Sequence, residues 1–579
     1  MAGLTSRLAK MNPFAGAKGK IDEDDVGESI DANTMAGGGH AGRETEITHQ
    51  LRVSLALRRF LADKQVLPAD YAGVDHPDEL TEPLRELLDR PHSRVPRELT
   101  DRSHPLPHYF VSSSHNTYLM AHQLYGNASA TAYQTALRNG ARCVEIDAWD
   151  GDPKEEPKVT HGYTLTSNIS FRTVCQTIRD VVDEEAQQAA DEEGYRAAPI
   201  LLSLENHCDA SGQKRLAAIM REVFGGRLLT KTIRDKGTAE QEGVGEHVTL
   251  AELGSKIAVI VEYHFAGEVL SDDDDDSSSS EDDEKKQARK EYKKQKKEAP
   301  AVVIIPELAE LGIYAQSVKP PNNAWFEKGV LEKSPHHPLI NVSESGLAAH
   351  MPAHNAAIAQ HNAHHLMRVY PKGTRISSAN LQPVPYWGLG AHICAFNWQT
   401  FGASMQLNEA LFSGTDGYVL KPRALLPGGS GELSGRKKRL RLHVAGASDL
   451  PVPEGREAKD LKPYVTCSLV QPTGADVKKK TSPYKQHKMG IAHKGEHSSP
   501  SDPIWDEVLE WEYEDTELTF LRLLVKSDDS FAKNPIFVVN AVRLLYVQPG
   551  WSFIRMLDLK GHETRCCLLA RFEIEDAAH

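Results

Sequence analysis

The stretch VEIDAW, residues 144–149, is mostly apolar, yet it carries two carboxylates, Glu145 and Asp147. The period-two alternation of a strand places both acids on one face and the apolar side chains on the other. A solvated face would explain the acids, but the apolar composition favours a buried strand, in which an unpaired charge would be costly. A cation held between the two carboxylates would remove that cost.

More polar side chains occur near this strand in the sequence. The run SSSHNTY, residues 112–118, contains His115 and Asn116, while His161 and Glu205 follow the strand. Four of the side chains are hard oxygen donors with no thiolate among them, a set that favours Ca²⁺ or Mg²⁺ over Zn²⁺. These four donors are Asn116, Glu145, Asp147 and Glu205.

The length and composition predict a multidomain protein with reduced cysteines. At 579 residues the chain is too long for one hydrophobic core. Its seven cysteines are odd in number and lie mostly in apolar runs, as is typical of core thiols in a reducing compartment. We find no signal-like segment and no run of about eighteen uncharged apolar residues, so we expect any membrane contact to be peripheral. The net charge of −14 argues weakly against nucleic-acid partners.

The region from 105 to 425 alternates between strand-like apolar runs and helix-like stretches, which predicts βα units around a parallel sheet. An acidic block followed by a basic block interrupts it between Asp272 and Lys297, a composition typical of a solvated, disordered segment. Because neither half has enough strands to close alone, four plus four strands are predicted to form a (β/α)₈ TIM-type barrel. The expected strands include 109–111, 143–148, 200–204, 257–261, 392–398 and 417–421.

Changes in composition divide the chain into seven segments. Short strands separated by polar turns near the carboxyl terminus predict an antiparallel β-sandwich. The segments are a disordered tail (1–43), a short helical region (44–103), the first barrel half (104–266), a disordered charged linker (267–301), the second barrel half (302–427), a linker (428–436) and the sandwich (437–579).

Six motifs, in their order and spacing, resemble those of the eukaryotic phosphoinositide-specific phospholipase C family. They are residues 112–118, 144–151, 161–167, 202–207, 368–371 and 417–422. The resemblance implies that the two barrel halves are the family's X and Y halves and that the sandwich is its C2-type domain. We find no counterpart of the family's amino-terminal PH domain, and residues 44–103 hold at most a remnant of its EF-hand lobes.

By this resemblance the protein is a calcium-dependent phosphodiesterase of intracellular lipid signalling. It would cleave phosphatidylinositol phosphates to diacylglycerol and inositol phosphates through a cyclic phosphate. One Ca²⁺ would be bound by Asn116, Glu145, Asp147 and Glu205. Glu145 would also deprotonate the inositol 2-hydroxyl, His115 would hydrogen-bond the phosphoryl oxygens, and His161 would protonate the departing diacylglycerol oxygen. Histidines in loops are more often structural, but the surrounding motifs favour catalysis here.

The resemblance also implies how the inositol headgroup is bound. Ser343, Arg368 and Tyr370 match positions that grip the ring phosphates and stack on the ring, although a surface salt bridge is the alternative for Arg368. Many family members carry a Lys-x-Lys pair after the last strand of the X half, whereas this chain has Glu262 there and lacks both lysines. A glutamate repels phosphate, so a preference for the bisphosphorylated lipid is not expected.

The family's membrane-facing and calcium-binding features are only partly retained. An apolar rim is predicted at Leu124, Tyr163 and Leu165. Thr374 replaces a common tryptophan, which predicts shallower insertion into the bilayer. In the C2-type domain, Lys462 replaces a usual aspartate and Asp529 is the main remaining candidate ligand, so no strong Ca²⁺ site is predicted there.

Seven histidines between His336 and His365, some at i,i+4 spacing, would also allow a zinc site. We do not favour one, because no cysteine or carboxylate ligand accompanies them and the stretch resembles the family's ordinary helix before the Arg-Tyr-Pro motif.

Two other functions remain open. One is a non-catalytic lipid-binding scaffold, which is disfavoured because the predicted catalytic residues are intact. The other is a phosphodiesterase for a soluble glycerophosphodiester, which is disfavoured by Ser343, Arg368 and the appended sandwich. We expect a monomer that acts at phosphoinositide-containing membranes from the cytoplasm, on their cytosolic face, with an upstream regulator that the sequence does not reveal. The charged linker is either a flexible spacer or a segment whose acidic half repels anionic membranes and lowers basal activity.

Overall fold

A computed structural model provides the structure of the protein. The residues it describes are 51–120, 127–151, 156–162, 166–191, 197–234, 247–263, 303–319, 323–327, 329–331, 335–372, 379–453, 455–484, 498–528 and 535–577. The predicted tail (1–43) and the whole predicted linker (267–301) lie outside these residues.

Eight parallel strands form the sheet of the first large domain. They are β1 Tyr109–Val111, β2 Cys143–Trp149, β3 Ile200–Asn206, β4 Ile257–Tyr263, β5 Gln316–Val318, β6 Pro338–Ser343, β7 Met367–Tyr370 and β8 Ile393–Cys394. Each strand pairs with the next one in sequence from β2 to β8, and β4 and β5 join the two predicted halves side by side.

The barrel closes through the first strand. Val111 of β1 pairs with Ile393 of β8, and a parallel bridge from Ser113 to Cys143 connects the segment after β1 to β2. The predicted (β/α)₈ barrel is therefore confirmed. The strand expected at 417–421 differs in its role, because Tyr418–Leu420 pairs antiparallel with β1 and is an addition to the eight parallel strands.

Helices cover the outside of the barrel, where apolar residues of the strands pack against them. On β2, Val144 and Ile146 point outward into a buried cluster with Val174 and Ile178 of the helix Phe171–Asp191. The main helices around the barrel are Thr131–Arg138, Phe171–Asp191, Ala210–Phe224, Leu250–Leu253, Pro306–Ala309, Glu344–Ala348, Asn355–Asn362, Pro383–Trp387 and Ala403–Phe412. Within the described part of the chain, no helix combines the length and apolarity needed to cross a membrane.

The carboxyl-terminal domain is an eight-stranded antiparallel sheet, which confirms the predicted antiparallel architecture. Its strands are β9 Lys437–Ser448, β10 Pro463–Val470, β11 Val477–Lys480, β12 Ile504–Glu514, β13 Phe520–Ser527, β14 Ile536–Arg543, β15 Gly550–Leu557 and β16 Glu563–Asp576. The spatial order is β11-β10-β13-β14-β15-β16-β9-β12. The indole N–H of Trp511 on β12 donates to the carbonyl of Val477 on β11 at 3.0 Å, so the two ends of the sheet meet around a common core.

This domain packs directly on the barrel. Arg522 Nε of β13 donates to Gln406 Oε1 in the helix Ala403–Phe412 at 2.6 Å, and the hydroxyl of Tyr546 donates to the carbonyl of Leu411 at 3.0 Å. Because these polar contacts are buried, they fix the domain against the barrel.

Two short helices, Leu55–Asp63 and Glu82–Asp89, precede the barrel in sequence but pack on the carboxyl-terminal sheet. Leu57 and Phe60 share a buried cluster with Phe553 and other residues of that sheet. Whether this region is an EF-hand remnant stays a prediction.

Candidate active site

Three carboxylates meet at the carboxyl ends of neighbouring barrel strands. Glu145 and Asp147 lie on the same face of β2, and Asp147 is the register partner of Glu205 on β3. One carboxylate oxygen from each residue lies within 4.8 Å of the other two. The carboxyl end of the strands is also where TIM barrels carry their active sites.

The electrostatics of this trio favour a bound cation. Asp147 Oδ2 accepts a 2.5 Å hydrogen bond from the hydroxyl of Tyr118, whereas Oδ1 is buried without a hydrogen-bond partner. Burial, followed by the charges of Glu205 and Glu145, raises the pKa of Asp147 well above its ordinary value. Burial and the charge of Glu145 likewise raise the pKa of Glu205. A divalent cation would neutralise these charges and ligate the bare oxygen, so the donor set fits a hard ion such as Ca²⁺.

Arg368 lies inside the barrel beside these carboxylates. Its side chain is 2 % exposed and its guanidinium donates to Glu145 Oε1 and, at 3.1 Å, to Asn341 Oδ1. The alternative of a surface salt bridge is therefore wrong. One guanidinium cannot balance three ionised carboxylates, which leaves room for a divalent charge.

Asn116 reaches the trio through its backbone. Its N–H donates to Glu145 Oε2 at 2.7 Å, and its Oδ1 lies 3.2 Å from the hydroxyl oxygen of Tyr118. The residue has a φ of 45°, in the left-handed region that asparagine tolerates better than most residues. This conformation aims the N–H at Glu145 and keeps the side-chain amide next to Asp147's partner, Tyr118.

His115 is held by an asparagine from the second barrel half. Its Nδ1 lies 2.8 Å from Asn397 Oδ1, and Asn397 Nδ2 donates to the carbonyl of Ala379 at 3.3 Å. The amide oxygen therefore faces the ring, so Nδ1 carries a proton and Nε2 faces the site, 3.8 Å from Glu145 Oε2. Burial and the charge of Arg368 lower the pKa of His115 to about 4.

His161 lies on a loop at the same end of the barrel. The N–H of its neighbour Thr160 donates to the carbonyl of Asp147 at 3.3 Å. A Cβ on Gly162 would lie 1.9 Å from the ring of Trp149, so only glycine fits there. This packing brings the backbone of His161 against the end of β2.

Ser343 and Tyr370 are register partners at the carboxyl ends of β6 and β7. Ser343 Oγ accepts from the N–H of Gly346 at 3.1 Å and caps the following short helix. The guanidinium carbon of Arg368 lies 5.7 Å from the centre of the Tyr370 ring. The three predicted headgroup residues thus lie on adjacent strands, and Arg368 among them contacts Glu145.

Several predicted residues at the rim of the barrel lie outside the described part of the chain. The apolar rim residues Leu124, Tyr163 and Leu165 lie outside the described residues, as does Thr374. Glu262 is partly buried near the carboxyl end of β4, where it is the register partner of Ser317 on β5.

The C2-type prediction of no strong Ca²⁺ site stays a prediction. The N–H of Lys462 donates to Ser527 Oγ at 3.0 Å, and Asp529 lies outside the described residues.

Sequence reasoning missed three residues that support the site: Tyr118, Asn341 and Asn397. Tyr118 follows the His115-Asn116 pair and its proximity is a usable signal. Asn341 and Asn397 come from the second half of the chain, and only the closed barrel brings them to Arg368 and His115.

Family models match most of the folded chain. The X domain of phosphatidylinositol-specific phospholipase C matches residues 102–263, its Y domain matches 308–424, and a C2 domain matches 438–544.

Named relatives align with most of this chain. A 1-phosphatidylinositol 4,5-bisphosphate phosphodiesterase of Dictyostelium discoideum is 31% identical over 507 residues, covering 81% of this chain and 59% of that protein. The delta-3 phosphodiesterase of Mus musculus is 33% identical, covering 80% of this chain and 55% of that protein. The delta-1 phosphodiesterase of Homo sapiens is 29% identical, covering 83% and 61%. The chain thus spans less than two thirds of the length of these relatives.

Solved structures show the same fold. The crystal structure of S. officinalis PLC21 superposes with a TM-score of 0.66 at 23% identity, covering 92% of this chain and 68% of that one. The L. pealei protein of the same name gives the same TM-score and identity. With both halves of the barrel and the appended domain matched, the chain belongs to the phosphatidylinositol-specific phospholipase C family.

Proposed function

We propose that this protein is a calcium-dependent phospholipase C that hydrolyses phosphatidylinositol lipids to diacylglycerol and inositol phosphates. The observation that carries the proposal is the carboxylate trio, in which a buried Asp147 oxygen has no hydrogen-bond partner beside a fixed histidine. The X and Y matches and the printed names of the relatives support the lipid class.

Asn116, Glu145, Asp147 and Glu205 would hold the ion. A bound Ca²⁺ would lower the pKa of the inositol 2-hydroxyl and offset the charge that develops on the phosphate. Glu145 acts as the general base for that hydroxyl, and Arg368 together with the Asn116 N–H fixes the orientation of its carboxylate.

His115 and His161 handle the phosphate and the leaving group. With Nδ1 committed to Asn397, the Nε2 of His115 donates to a phosphoryl oxygen only when the ring is protonated. An anionic phosphate next to the ring favours that state. His161 protonates the departing diacylglycerol oxygen, and water then opens the cyclic phosphate.

The inositol ring binds at the edge formed by β6 and β7. Tyr370 stacks on the ring and Ser343 hydrogen-bonds a ring substituent. Arg368 contributes a buried positive charge, and it contacts a ring phosphate by exchanging its bond to Asn341 for the phosphate oxygen while it keeps its bond to Glu145. Because Glu262 lies at the end of β4 where family members carry lysine, we propose comparable turnover of the unphosphorylated, monophosphorylated and bisphosphorylated lipids.

The protein acts as a peripheral monomer on the cytosolic face of membranes. The match to a C2 domain supports contact with phospholipid, and the predicted apolar rim would enter the bilayer next to the catalytic site. No nucleic acid takes part.

A vesicle assay tests this function. Vesicles contain phosphatidylinositol, its 4-phosphate or its 4,5-bisphosphate, each with Ca²⁺ and with chelator, and diacylglycerol is measured. Release from all three lipids only with Ca²⁺ supports the proposal. Lipid binding without turnover would indicate a scaffold, and turnover of soluble glycerophosphoinositol alone would indicate a phosphodiesterase for soluble substrates.

A further inference from the structure

Histidines gather at the face of the barrel opposite the carboxylates. They lie in segments that lead into the amino ends of β1, β4, β6, β7 and β8. This lower histidine cluster comprises His104, His108, His247, His336, His337, His364, His365 and His392. None of these side chains has a role in the proposed reaction.

One pair in the cluster has the spacing of two metal ligands. The Nδ1 atoms of His104 and His108 lie 3.4 Å apart, and the ring centres are 5.5 Å apart. Two nitrogens bound to one tetrahedral Zn²⁺, each at about 2.0–2.1 Å, are about 3.3–3.4 Å apart.

An acid lies near one ring of this pair. Asp101 Oδ2 lies 3.7 Å from His104 Nε2, the nitrogen that faces away from His108. A carboxylate that accepts a hydrogen bond from the outer nitrogen is a usual partner of a metal-bound imidazole, and the Asp101 oxygen lies slightly beyond that distance.

The segment that carries His247 lies beside the pair. The N–H of Leu250 donates to the carbonyl of His104 at 2.8 Å, and Pro105 bridges to Thr249, so the segment with His247 lies alongside. The side chains of His247 and His364 are exposed and can rotate.

We propose that His104 and His108 bind a borderline transition-metal ion such as Zn²⁺, with His247 or His364 as a third ligand and water as the fourth. Among the described residues, the carboxylate trio is the one group with three possible ligand atoms already within 4.8 Å of one another. A third imidazole would therefore have to reach the lower site by side-chain rotation. The nitrogen ligands of the lower site favour Zn²⁺, whereas the oxygen ligands of the carboxylate trio favour Ca²⁺. The two sites would therefore select different ions.

This metal would link distant parts of the chain. His104 and His108 precede β1, His247 precedes β4, and His364 precedes β7 in the second barrel half. An ion held by His108 and His364 would join the two halves on the face opposite the active site.

Zn²⁺ titration of the full chain by calorimetry, in saturating Ca²⁺, tests the proposal. We expect one Zn²⁺ bound per chain, with affinity at least about tenfold weaker in His104→Ala and in His108→Ala. The exposed His76, in a loop away from the barrel, gives the matched control His76→Ala, which keeps the natural affinity. Co²⁺ in place of Zn²⁺ should give the strong visible absorption of a tetrahedral site, and both variants should lose it.

Two results would overturn the proposal. Absence of Zn²⁺ binding, or unchanged affinity in both variants, would leave His104 and His108 as a hydrogen-bonded pair only. Zn²⁺ binding abolished by Asp147→Asn but not by these variants would assign the ion to the carboxylate trio. Metal-free thermal unfolding verifies that the variants fold, and His104→Gln and His108→Gln replace the alanine variants if those do not.

Discussion

The two ends of the barrel concentrate opposite kinds of titratable side chain. At the carboxyl ends of the strands, three acids surround a bare buried oxygen of Asp147. At the amino ends, the lower histidine cluster surrounds the buried Lys421, whose Nζ lies 2.9 Å from the carbonyl of Asn362 and 2.6 Å from His392 Nε2. The buried Asp147 oxygen has no hydrogen-bond partner in the protein, and a ligand would supply one. Lys421, in contrast, has its hydrogen-bond partners within the fold. We therefore expect substitutions at the carboxyl ends of the strands to change activity and substitutions at the amino ends to change stability.

The largest expected effect is at the carboxylate trio. Asp147→Asn removes a ligand and one of three crowded acids, so hydrolysis of phosphatidylinositol vesicles should fall by about 10²–10³-fold. In chelator the same variant should unfold at a higher denaturant concentration than the natural protein, because a buried like-charge repulsion is relieved. The exposed Asp75 gives the control Asp75→Asn, which should change neither quantity. Near-natural activity of Asp147→Asn would remove the basis for the ion site.

The next effect concerns the asparagine that positions His115. Asn397→Ala should lower kcat by about tenfold or more, since the ring loses its only described Nδ1 partner. Asn397→Asp places a carboxylate at Nδ1, raises the pKa of His115 and should move the pH profile of kcat toward higher pH. A uniform loss of activity without a shift of the profile in Asn397→Asp would indicate a merely structural role.

The third effect concerns substrate preference and the charge of Glu262 near the carboxyl end of β4. Glu262→Lys restores a positive charge at the end of β4, so turnover of the bisphosphorylated lipid relative to phosphatidylinositol should rise by about tenfold, or about 1.4 kcal/mol. The ratio of kcat/KM values on matched vesicles measures it. If the ratio does not change, Glu262 is outside the reach of the ring phosphates.

The smallest effect is expected below the barrel. Burial, followed by the charges of neighbouring histidines, lowers the pKa of His361 to about 3, while the unfolded value is about 6.5. The stability tied to its neutral form is complete above pH 6.5 and is lost as the pH falls from 6.5 toward 3. When the pH falls from 7 to 5, the free energy of unfolding should decrease in both proteins. The decrease should be smaller in His361→Gln than in the natural protein, by up to about 2 kcal/mol.

Denaturant unfolding at the two pH values measures that difference, with His76→Gln as the control. The vesicle activity of His361→Gln at pH 7 should stay natural. A tenfold loss of that activity would contradict the division between a catalytic upper end and a stabilising lower end.

The sequence predicts the barrel well where strands are buried on both faces. Long apolar runs at β2, β3 and β4 identify strands directly, and alternation within β2 places Glu145 and Asp147 together. Tyr418–Leu420 has the same apolar character but runs antiparallel, because strand direction depends on the connection that precedes it and not on composition.

Only the part of the site that is formed by residues close in sequence could be predicted. Neighbouring motifs bring His115, Asn116 and the acids of β2 together, but the hydrogen bond of His115 to Asn397 spans 282 positions. The burial of Arg368 against Glu145 is likewise set by barrel closure. Such contacts leave no periodic signal in one sequence.

The central claim is that a divalent ion binds among Glu145, Asp147 and Glu205. Diacylglycerol release from phosphatidylinositol vesicles, followed while EGTA is added and Ca²⁺ is then restored, tests it most directly. We predict that release stops in EGTA and resumes with Ca²⁺. Release that continues undiminished in EGTA would contradict the account.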